Sequence, residues 1–109
     1  MRILVANEPR SYREVIAAAV QALRPHIEVV LSTSDDLERN LARLAPQLVV
    51  CSELTPSIGT WSLTWIVLYP DGKTQAVISI GGQSTTLDDL EFDHLLRIID
   101  ETEQLMDAR

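Results

Sequence analysis

Behind Arg2, apolar residues run without a break through Ile3-Leu4-Val5-Ala6, and residues 2–6 read as a strand covered on both faces. The period then changes. Tyr12, Val15, Ile16, Ala19, Val20 and Leu23 fall on one face of a helix. Ser11, with Glu14 at capping-box spacing, sets its expected start. Pro25 sets its end, because the ring clashes with a preceding carbonyl. His26–Leu31 reads as a second strand. The polar stretch Ser32-Thr33-Ser34-Asp35-Asp36 reads as a turn able to cap the next helix. Leu37, Leu41 and Leu44 mark that second helix, closed by Pro46, and residues 47–52 form a third strand. Successive βαβ units with solidly apolar strands predict a parallel sheet with helices on both faces.

The second half reads differently. Only about ten residues separate strand three from the apolar run Leu63–Tyr69, fewer than a parallel crossover ordinarily uses. They include Pro56 and Gly59, which favour a loop. Strand four is therefore expected to run antiparallel to strand three. Pro70-Asp71-Gly72-Lys73 is a turn signal, and Gln75–Ile80 is the returning strand of a hairpin. Leu87 to about Met106 reads as a long terminal helix, capped from Thr85 or Thr86.

Two stretches carry a choice of roles. Gly81-Gly82-Gln83-Ser84-Thr85 leaves a strand and is expected to enter that helix. It is either a plain turn with a cap or an anion cup of backbone amides, hydroxyls and a helix N-terminus. Trp61, Trp65, Val67 and Tyr69 share one face of strand four by alternation. That face either packs against the terminal helix or meets a partner, because a hairpin at the sheet edge with charge only in its turn is poorly protected.

A chain of 109 residues is expected to form a single domain over residues 1–109. Its net charge of −7 opposes the phosphates of nucleic acid and of anionic membranes. No apolar run approaches the ~20 residues of a membrane span. With Arg2 followed by a strand-like run and no small-residue cleavage site, no cleavable leader is expected. The lone Cys51 cannot form an internal disulfide, which fits a reducing cytoplasm. Cys51 sits among Val and Leu as a core thiol. His26 and His94 share no ligand spacing with it, so neither a metal nor a cofactor is expected.

The strand ends are the most telling. Arg2-Ile3-Leu4-Val5 leads to the polar pair Asn7-Glu8, Arg13-Glu14 stands early in the first helix, and Pro46-Gln47-Leu48-Val49-Val50-Cys51 leads to Ser52, with Pro56 beyond. This ungapped pattern resembles the first half of response-regulator receiver domains. The resemblance implies a three-layer, flavodoxin-like sheet of order 2-1-3-4-5, here with strand four antiparallel and a long C-terminal helix. It also implies a place in two-component signalling or regulation. It puts Asn7 and Glu8 where the family carries two Mg²⁺-binding acids, and Ser52 where it carries the phosphorylated aspartate. The family's lysine after strand five is replaced by Gly81-Gly82.

Phosphoryl transfer onto a receiver needs a carboxylate nucleophile, a divalent ion and a lysine. Ser52 lacks an evident base, and Asn7 removes one carboxylate. Glu53 alternates with Ser52 and would point away from it. The expected function is a non-enzymatic pseudo-receiver that binds a protein partner or a second copy, as a homodimer. The alternative is a small-ligand or anion sensor at the carboxyl-end crevice formed by Asn7, Glu8, Ser52 and residues 81–85.

Overall fold

The apolar runs of the first half become the centre of a mixed sheet. The computed structural model describes residues 1–68 and 75–107, and at residues 59–61 the backbone alone. Among these residues the chain forms six strands and four helices: β1 (Arg2–Ala6), α1 (Arg10–Leu23), β2 (Glu28–Leu31), α2 (Leu37–Leu44), β3 (Leu48–Cys51), α3 (Pro56–Trp61), β4 (Thr64–Leu68), β5 (Gln75–Ile80), β6 (Gln83–Asp88) and α4 (Phe92–Asp107). The sheet order is β2-β1-β3-β4-β5-β6. It departs from the expected 2-1-3-4-5 by a sixth strand beyond β5.

The sheet separates two cores. On one face Ile3, Val5, Leu48, Val50, Ile66 and Ile78 pack with Ile16 and Val20 of α1 and with Leu95, Ile98 and Ile99 of α4. On the other, Leu4, Ala6, Val49, Cys51 and Val67 pack with Leu37 and Leu41 of α2 and Ile58 of α3. Consecutive residues of β1 from Ile3 onward and of β3 are thus buried on opposite sides, which is why those stretches are apolar at every position.

Strand four runs parallel to β3, with Leu48 opposite Thr64 and Cys51 opposite Val67. The antiparallel expectation fails because the strands are shorter than the apolar runs. Residues 52–63 are free to connect them, which meets the length a crossover needs. Pro56 stands at the start of α3 and not in its interior. There proline is favoured, since the first helical N–H has no intrahelical acceptor. Ile58, fully buried, anchors this short helix over β3 and β4.

β4 and β5 are antiparallel, as the hairpin reading expects. The turn signal at 70–73, Lys73 included, lies outside the described residues. The expected glycine loop into a helix is instead a second hairpin. Gly81 and Gly82 take φ of 57° and 91°, and β6 returns along β5 with Ile80 opposite Gln83. Two positive φ values suit the primed turns whose twist matches a two-residue hairpin. Ser84, Thr85 and Thr86 are not helix caps but strand residues, a role that β-branched threonine favours. The terminal helix consequently starts at Phe92, after Asp89 takes a left-handed φ of 51°.

Two further expectations are corrected. Ser11 does not cap α1; the helix begins at Arg10 behind Pro9, and Glu14 pairs with Arg10 at 2.7 Å. The Trp65–Val67 face does not meet the terminal helix. It turns to the α2–α3 side, where Val67 is buried and Trp65 half-buried, while α4 covers Ile66 and Ile78. Nor is this face at an edge, because β4 lies between β3 and β5. Tyr69 and the Trp61 side chain lie outside the described residues.

Candidate functional site

β1 and β3 are adjacent, and the chain leaves them toward helices on opposite sides of the sheet. In open α/β sheets the carboxyl end, where successive connections depart to opposite faces, is the usual position of a ligand crevice. Asn7 and Glu8 follow β1 there, and Ser52 follows β3. The structure brings these together: the Glu8 backbone N–H donates to Ser52 Oγ at 2.9 Å.

Each group is already engaged or enclosed. Glu8 receives the Ser34 N–H at 3.3 Å and the Ser34 hydroxyl at 3.1 Å on one carboxylate oxygen. Arg13 reaches the other oxygen at 3.3 Å and donates to the Asn7 carbonyl at the same distance. The Ser34 N–H, then its hydroxyl, and the nearby Arg13 guanidinium hold the Glu8 carboxyl below its ordinary value. Arg13 lies against the protein, with its side chain 11% exposed. Asn7 is fully buried, and neither atom of its amide has a hydrogen-bond partner among the described residues. Glu53 is exposed.

Arg13 and Ser34 complete this cluster, although spacing alone does not assign them to it. Arg13 stands in the sequence only as an early residue of α1, and Ser34 only as part of a turn. The available hint is the polar turn after β2, which the parallel β1–β2 pairing carries to the same sheet end.

The stretch Gly81–Thr85 does not share this crevice. Ile80 pairs with Thr64, and the Gly81 N–H donates to the Leu63 carbonyl, at the amino end of β4. Asn7 and Ser52 sit at the opposite, carboxyl end. The helix N-terminus expected of an anion cup is also missing from this stretch, since Gln83, Ser84 and Thr85 belong to β6. The composite crevice of the sequence reading thus resolves into two separate places.

Cys51 is 1% exposed, and burial pushes its thiol up to about 12, so it is not a nucleophile at neutral pH. His26 faces Glu103 at 3.0 Å, while His94 accepts the Glu91 N–H at the head of α4. Among the described residues no cluster of His, Cys, Asp or Glu is arranged to hold a metal. No described helix is long and apolar enough to cross a membrane. Comparison with family models, curated proteins and solved structures finds no match to this chain.

Proposed function

We propose that this chain is a receiver-like, flavodoxin-type domain without phosphoryl chemistry, serving in the cytoplasm as a protein–protein interaction module in signalling or regulation. The observation that carries the reading is the Glu8 N–H to Ser52 Oγ hydrogen bond. Where a receiver opposes acids to a phosphorylatable aspartate, these two loops are tied to each other by a neutral contact. The carboxylate nearest to Ser52 in this set, Glu8, is turned to Ser34 and Arg13. The remaining strand-end position is a neutral, buried asparagine.

Intact mass after incubation with acetyl phosphate and Mg²⁺ tests this. The wild-type mass is expected to stay unchanged, and Ser52→Asp alone is expected not to restore transfer. That variant places a carboxylate beside Glu8 without supplying the second Mg²⁺ ligand or a lysine. A gain of one phosphoryl group by either protein overturns the reading.

One observation favours a second reading, a small-ligand or anion sensor at the same crevice. The buried Asn7 amide offers a donor and an acceptor that no described protein group uses. A thermal-shift screen of small anions and polar metabolites separates the two, because a ligand of the folded state raises the melting temperature.

A further inference from the structure

β6 is the one long strand edge that the described part of the molecule leaves bare. It pairs with β5 alone, and all of its residues but Leu87 are exposed. The opposite edge, β2, is shorter and starts at Glu28, which an ion pair to Arg2 holds in place. Short, charged edges resist pairing with other chains. β6 has neither device: Gln83-Ser84-Thr85-Thr86-Leu87 is uncharged, and Asp88 stands at its end.

The Gly81-Gly82 turn fixes which backbone groups face outward. In a two-residue hairpin the closing residues, Ile80 and Gln83, exchange hydrogen bonds, and the pattern alternates from there. Ser84, Thr86 and Asp88 therefore direct their N–H and C=O groups away from β5.

We propose that β6 pairs with β6 of a second copy, antiparallel about a two-fold axis at Thr86. This rests on the interaction-module reading and names its partner. Alternation limits the register, since outward-facing residues must pair with each other. Of the registers this permits, the one centred on Thr86 sets Thr86 against Thr86 and Ser84 against Asp88 of the second copy, whereas one centred on Thr85 sets Asp88 against the Gly82 turn. All of these pairs are compatible: threonine across from threonine, and a hydroxyl across from a carboxylate at both ends. Only a self-complementary strip can close an isologous dimer.

Charge and shape agree with this occupant. The acids Asp88, Asp89, Glu91 and Asp93 gather at one end of β6, and an antiparallel partner places its own set at the far end. Two chains of net charge −7 thus meet with a single carboxylate, Asp88, at each end of the paired segment and none at its centre. On the α4 side, a groove of about 650 Å³ lies between α4 and the β5–β6 hairpin. Ile78, Ile80 and the part-exposed Leu105 line it. A second sheet continues its floor past Thr85.

Light scattering coupled to size exclusion at tens of micromolar should give about twice the 12.2 kDa chain mass. Charge variants then read the register. Ser84→Lys faces Asp88 of the second copy and is expected to tighten the dimer. Ser84→Asp at the same position should weaken it by about tenfold or more, because like charges then stand opposite each other. Thr86→Lys sets two ammonium groups against each other across the axis and should weaken it by about as much, although it lowers the net negative charge just as Ser84→Lys does. Circular dichroism establishes that each variant is folded. A monomeric wild type overturns the proposal while leaving the phosphate test of the crevice unaffected. A dimer indifferent to these charges, or one that tracks net charge alone, overturns it as well.

Discussion

Glu8 is the residue on which the crevice turns. Its carboxylate is better stabilised folded than unfolded, so its folded pKa lies below the ordinary 4.5. A group shifted downward contributes stability above its unfolded pKa and loses it as pH falls through the folded value. Glu8→Gln is therefore expected to unfold at lower urea concentration than wild type at pH 7. The gap between the two should close as the pH falls below 4.5. Equal midpoints at pH 7 would mean that the Ser34 and Arg13 contacts contribute nothing in solution. The positions of Asn7, Glu8 and Ser52 were legible because each lies just beyond an apolar strand, and strand ends define the crevice. Their bonding was not. Arg13 and Ser34 join the cluster through contacts that depend on how α1 and the β2 turn are packed, and sequence spacing does not encode that.

Among the elements, α4 is bound to the sheet by a polar contact inside an apolar core. The Thr64 and Thr102 hydroxyls are both fully buried and lie 2.8 Å apart, and Thr102 also donates to the Ile98 carbonyl at 2.9 Å. Replacing either by valine keeps the shape and leaves its partner short of a hydrogen bond. Each single substitution should cost about 1–3 kcal/mol, and the double substitution less than the sum of the two. Urea denaturation of the four proteins measures this, and strict additivity would show that the hydroxyls act independently. α1 could be read from its helical period, and β1, β3 and β5 from their apolar runs, because burial dictates both patterns. α3 could not, because so short a helix shows no period and its proline resembles a breaker. β6 escaped notice for a related reason. Its threonines and serine suit caps and exposed strands equally, and only the two-residue spacing after β5 distinguished them.

At the scale of the whole molecule the chain is two designs joined at β4. Up to β4 the strands are parallel and helices connect them; from β4 onward hairpins build the sheet outward. β1, β2 and β3 were legible because strands that face a core are rich in apolar residues, whereas the direction of β4 was not, because α3 hides in a proline-containing connection. The β4–β5 hairpin was legible as well, but β6 was not, because it is exposed and polar and leaves no hydrophobic signature. Cys51 lies at the heart of the parallel half, and it is the only cysteine. Enclosed among both neighbouring strands and Ile58, it can meet a solvent-borne reagent only when the central sheet comes apart. The protein thus carries its own unfolding clock. Modification by a thiol reagent in native buffer should run at least about a thousandfold slower than in denaturing urea, tracking global opening. Comparable rates in the two conditions would reveal that β3 detaches without the rest.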